Sequence, residues 1–122
     1  MIPYETYKLI HILAVFFLLF SLGAYLILTS NKTTTSKKLA GITHGIAIVV
    51  IFIGGFGLLA RLGFSGISSW PLWVWIKILI WIILTLMITL IKRKPEWTTL
   101  LWFIIPILGG IAAFMAIYKL TL

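Results

Sequence analysis

Apolar residues fill four long runs of the 122-residue chain, and charged residues collect at the run ends, with Lys77 the exception. An apolar run of about 18 residues is long enough to cross the hydrocarbon core of a bilayer as a helix. The pattern therefore predicts an all-α membrane protein, an antiparallel four-transmembrane-helix bundle. The first run covers about residues 4–29 and ends before a polar loop, 30–38, whose Asn and Thr cluster breaks the periodicity. The second covers 39–62, closes at Arg61, and is followed by an uncharged turn over 63–69 (GFSGISS). The third, 71–91, opens with Pro71, a residue suited to a first helical turn, and reaches the basic cluster Lys92, Arg93 and Lys94. The fourth, 97–118, begins after Pro95 and contains Pro106, where a kink is expected.

Composition narrows the chemistry. Apolar residues make up 62% of the chain and charged residues only 10%, against about 25% charged in soluble domains. That leaves one transmembrane bundle, 1–122, with no linker and no room for a water-soluble domain. Without cysteine, disulfides, thiolate metal sites and thiol nucleophiles are excluded. The net charge of +8 fits anchoring at anionic lipid head groups better than nucleic-acid binding. The first run lacks the positive n-region and the small-residue cleavage pattern of a secretory signal peptide, so it reads as a retained span.

An even number of spans puts both termini on one side. The loops after spans one and three carry six cations (Lys32, Lys37, Lys38, Lys92, Arg93, Lys94), whereas the opposite side carries three (Lys8, Arg61, Lys119). Cationic loops stay in the cytoplasm, so this bias predicts a multi-pass protein of the bacterial inner membrane with both termini periplasmic.

Residues of antiparallel helices that share a depth can be found by reflecting residue numbers about each loop centre, near 33, 66 and 95, to within roughly 5 Å. The reflection collects His11, Gly54, Gly55, Lys77, Ala112 and Ala113 into one layer in the half nearer the termini. Two nitrogen-bearing side chains thus face helices thinned by Gly and Ala. One reading is a ligand pocket, with His11 as ligand or proton carrier and Lys77 as partner of an anion, because ionisable groups inside spans usually mark sites. The other is packing: small residues let helices approach, while the Lys77 stem snorkels to the surface. On either reading Gly55 should be intolerant of bulk.

Neighbouring residues add to that layer. Trp73, Lys77 and Trp81 lie at i, i+4 and i+8, so the ammonium is expected against an indole. Lys8, His11, Ala14, Leu18, Ser21 and Tyr25 form a stripe at helical spacing, the expected inward face of the first span. His44, beside Gly41 and Gly45, reflects about 11 residues, or roughly 16 Å, away from His11, so the two cannot ligate one iron. It reads as a packed, hydrogen-bonded residue. Glu5 reflects onto Arg61 and is expected to form a weak ion pair there; Glu96 reads as ordinary loop charge.

Lys8-Leu-Ile-His11 and Trp73-Val-Trp-Ile-Lys77 resemble the K-x-x-H and W-x-x-x-K positions of the small bacterial membrane proteins grouped around HemJ, SirB and CopD. The stretch HGIAIVVIFIGGFGLLARLGF also resembles uncharacterised four-span bacterial proteins of that kind. The HemJ branch binds haem b and oxidises protoporphyrinogen. Membership there would imply His11 as an axial ligand of haem iron, the one metal role in the chain, and Lys77 as a haem or substrate contact. The chain departs from that branch in lacking its further basic residues, Arg61 being the only arginine in the half nearer the termini.

Three functional classes follow, in order. The first is an accessory subunit or ligand-binding membrane protein, partnered by a larger membrane complex or by further copies of itself, with its site at His11, Lys77, Gly54 and Gly55. The second is a haem b redox protein. The third is a proton-coupled exporter, which needs a membrane-embedded carboxylate that this chain lacks, since Glu5 falls at the surface.

Overall fold

The computed structural model describes residues 2–64 and 66–119. Among them are four α-helices, α1 (Tyr4–Ser30), α2 (Lys37–Arg61), α3 (Leu72–Arg93) and α4 (Thr98–Tyr118), with short 3-10 turns at Ile67–Ser69 and Pro95–Trp97. Each α-helix belongs to a segment long and apolar enough to cross a membrane. The protein is thus an all-α, multi-pass membrane protein, with one polar end carrying the lysine-rich loops and the other carrying both termini.

The helix ends follow from local chemistry. Between α1 and α2 the chain reverses through Lys32 (φ 55°) and Ser36 (φ 63°), both left-handed. α2 begins at Lys37, two residues before the expected start at 39. At its other end Gly63 adopts φ 92°, a left-handed value costly for residues with a Cβ. The Gly63 amide then donates to Ala60 (3.2 Å) and the Phe64 amide to Leu59 (3.0 Å), the paired bonds of a Schellman ending. Phe64 packs into the cluster of Leu59, Trp73 and Val74, an apolar contact of the kind that accompanies this cap. Pro71 lies just outside α3 rather than in its first turn, extended at ψ 168°. α4 remains helical through Pro106.

Packing is uneven. α1 touches all three other helices and lies closest along α2, while α2 and α4 do not meet among the described residues. α1 and α2 approach closely where Gly54 meets His11, and the small residues Ala14 and Ala47 of the two helices are buried in the core. α2 and α3 meet at few points. Large rings fill their gap towards the terminal end, with Phe52 and Trp81 centroids 5.1 Å apart and Phe56 and Trp70 5.4 Å apart.

The best-buried side chains, Leu18, Leu22, Leu26, Ile91 and Leu101, lie on α1, α3 and α4 in the half nearer the lysine-rich loops, and with Ala40, Ala47, Ile48 and Ile51 of α2 they form one core. α4 buries only Leu101 and Ile105, both in that half. A smaller cluster around Leu59, Trp73 and Val74 closes the terminal end. Fully buried side chains therefore concentrate in the half nearer the lysines, whereas His11 and Lys77 in the other half are half-buried.

Candidate functional site

His11 sits on α1, half-buried, with its Nδ1 3.2 Å from the carbonyl oxygen of Ile51 on α2. A carbonyl can only accept, so Nδ1 carries the proton and donates. Nε2 is then left with its lone pair, and among the described residues nothing donates to it.

The glycines of the layer explain the placement of the ring. A Cβ added at Gly54 would stand 3.4 Å from the His11 Cβ, and one at Gly55 would stand 3.6 Å from its Cε1. The space expected to hold a ligand is therefore occupied by the imidazole itself. One turn nearer the termini, a Cβ at Gly57 would overlap the ring of Tyr7. That makes Gly57, not singled out from the sequence, the position on the α1–α2 seam where an added side chain would meet the most severe overlap. Its sequence signal was the run of Gly54, Gly55 and Gly57 across from aromatic Tyr7, whose size decides which glycine is essential.

Lys77, on α3 and half-buried, lies within electrostatic range of His11 and of Lys119. The structure thus seats Gly54 and Gly55 against His11, with Lys77 in electrostatic range of the ring. It does not bring Ala113 inward: Ala112 packs against the core, whereas Ala113 is exposed. Nor is an indole the recorded seat of the Lys77 ammonium. The cation over Trp73 is that of Lys119, 5.8 Å from the ring centre, and Trp81 instead donates its Nε1–H to the Ile48 carbonyl at 3.2 Å.

Three other expectations on charged or polar groups can be placed. The α1 stripe is inward from Ala14 through Tyr25, but Lys8 is exposed, 5.9 Å from the Tyr4 ring. Arg61 does not take Glu5 as its hydrogen-bond partner among the described residues. Its guanidinium grips the carbonyl of Ile2 through Nε (3.0 Å) and an Nη (2.7 Å), which ties the start of the chain to the end of α2. His44 is 6% exposed, and its Nε2–H donates to the Leu84 carbonyl of α3 at 3.1 Å. With Nε2 so engaged, His44 is a strut between α2 and α3.

Haem, the cofactor implied by the sequence resemblance, fits this layer incompletely. The His11 tautomer is the one that presents Nε2 to a metal. The glycine slot beside it is filled, however, and the second histidine is committed elsewhere through Nε2. Among the described residues no three His, Cys, Asp or Glu side chains gather as an ion site. What the layer can do is bind an acidic group, with an ammonium to balance its charge and an imidazole nitrogen to accept its proton. No family model, no curated protein and no solved structure matches the chain.

Proposed function

We propose that this chain is a small accessory or ligand-binding subunit of the bacterial inner membrane, with His11 and Lys77 as its site. One observation carries the reading: a lysine and an unpaired imidazole nitrogen share a layer within the spans, where neither acid of the chain is at hand. Glu5 is exposed near the terminal end, and Glu96 lies in the loop at the opposite end. An ammonium in a membrane span needs a counter-charge. A carboxylic acid meets both groups, whether it belongs to a membrane-soluble ligand or to a helix of a partner subunit. The exposed face of α4, with Phe103, Ile107 and Phe114 among its outward residues, offers a helix of the complex an apolar approach.

The test is purification in mild detergent from the native membrane, followed by mass spectrometry of whatever accompanies the protein. His11→Ala and Lys77→Met should each lose the accompanying component, whereas His44→Ala should retain it if solubilised intact. Retention by both site variants would sink the reading. A Soret absorption band that disappears with His11→Ala would favour the haem b alternative, for which the Nδ1-donating tautomer is the supporting observation.

The same reading places both termini in the periplasm, because six cations then lie in cytoplasmic loops and three on the other side. Single cysteines are simple to interpret in a chain that has none. Ser68→Cys should react with an impermeant thiol reagent in intact cells, and Thr34→Cys should not. The reverse pattern would invert the topology.

A further inference from the structure

Below the His44 bridge, towards the lysine-rich loops, α2 and α3 part. They leave a laterally open groove of about 680 Å³ with Tyr25 of α1 as its back wall. Gly41, Gly45 and Ile48 line it from α2, and Ile88 from α3. Its mouth carries three ammonium groups, those of Lys37, Lys38 and Lys92, and no acidic residue lines it. The Lys37 ammonium rests 5.1 Å from the centre of the buried Tyr25 ring, which holds one cation over the mouth.

The two glycines here differ from Gly54 and Gly57. A Cβ at Gly45 would meet nothing within 4 Å, and one at Gly41 would come no nearer than 3.9 Å to Tyr25. Helix approach does not require glycine at either position; their missing side chains instead keep the groove wide. From Lys37 to Ile48 the groove wall is 11 residues of helix, about 16 Å. That is about the hydrocarbon depth of one leaflet, half of roughly 30 Å. A slot of this depth, mainly apolar with Thr85 and Thr89 on its α3 wall and cationic at the level of the head groups, has the dimensions and the charge order of a lipid.

We propose that the α2–α3 groove binds one anionic glycerophospholipid, its phosphate held by Lys37, Lys38 and Lys92 and one acyl chain lying along Gly41, Gly45 and Ile48. A zwitterionic lipid offers the same chain and phosphate but no net charge for the three ammonium groups. The groove therefore prefers a lipid of net negative charge. This site is separate from the His11 layer and stands whether or not that layer binds an acid.

The experiment is native mass spectrometry of the full chain, titrated with phosphatidylglycerol or phosphatidylcholine, with melting in each lipid as a second readout. Phosphatidylglycerol should bind as a single tight adduct and raise the melting temperature more than phosphatidylcholine. Replacing Lys37, Lys38 and Lys92 together by Gln should weaken that adduct at least about tenfold, on the scale of surface lysines facing anionic lipid. Gly45→Leu, which fills the groove without removing charge, should weaken it comparably. Replacing Lys32, Arg93 and Lys94 by Gln removes as much charge from the same end outside the groove and should change binding less than about twofold. Inorganic phosphate should not compete.

Equal losses in the two triple variants would mean diffuse surface attraction and overturn the proposal. So would indifference to head-group charge, effective competition by free phosphate, or a dimer that Gly45→Leu abolishes, which would make a second copy the occupant. Unchanged melting of Gly45→Leu in phosphatidylcholine verifies that the variant folds; with the adduct retained, it too would overturn the proposal.

Discussion

Replacing Gly57 by Leu is expected to be among the most damaging single substitutions in the bundle, lowering stability by about 1–3 kcal/mol or more through overpacking. At this position the first atom of any side chain would overlap the Tyr7 ring. Either the ring leaves its place on α1 or the two helices move apart. Separation would spread along the seam, because one turn further into the membrane Gly54 holds the His11 backbone and Cβ at contact distance, and Ile51 holds the imidazole. The measurement is thermal or denaturant unfolding in detergent, with Gly66→Leu as the comparison, since a Cβ at Gly66 meets nothing within 4 Å. Tyr7→Ala in the Gly57→Leu background should restore much of the loss by emptying the space the new side chain needs. If Gly57→Leu melted like Gly66→Leu, or if Tyr7→Ala gave no rescue, the crossing would not be where α1 and α2 are pinned.

His44→Ala is the second large effect. The side chain is buried, and its hydrogen bond to the Leu84 carbonyl spans two helices that otherwise meet at few points. The substitution removes the bond and opens a cavity, together costing about 2–4 kcal/mol. The Leu84 carbonyl retains its own helix as a partner, so the loss falls short of that for an orphaned buried group. His44→Gln, which can still donate to that oxygen, should recover part of the stability. Pairs of spin labels on α2 and α3 near the lysine-rich end should broaden in distance in His44→Ala and stay narrow in His44→Gln. Wild-type stability and label distances in His44→Ala would rule out the strut.

The antiparallel order of the spans also accounts for contacts seen in the structure. Reflection about 33 places Tyr25 opposite Gly41 and Tyr7 near Gly57, and those pairs are in fact adjacent. Likewise, reflection about 66 brings His44 to about one turn from Leu84, its actual partner. This works because helices in a bilayer are long, nearly parallel and equal in rise, so depth is a linear function of residue number. Rotation about the helix axis is not. Ala112 and Ala113 share a depth, yet one packs inward and the other faces out. The Lys77 ammonium was expected against an indole, and the geometry of α3 against α4 gave Trp73 to Lys119 instead.

The sequence alone determined that the chain crosses a membrane as four antiparallel helices, because the cost of exposing backbone polar groups to hydrocarbon leaves a long apolar run no other form. It also determined which end is cationic and that His11 lies level with Gly54 and Gly55. The tertiary structure decided how those groups are used. Gly54 and Gly55 seat the His11 ring, Gly57 admits Tyr7, and Gly41 and Gly45 open a groove under the lysines. Glycine reads identically in all five places. Whether the room it leaves is filled by a neighbouring side chain or stays open depends on the rotation and spacing of helices far apart in the chain, and those are set by how all four pack together.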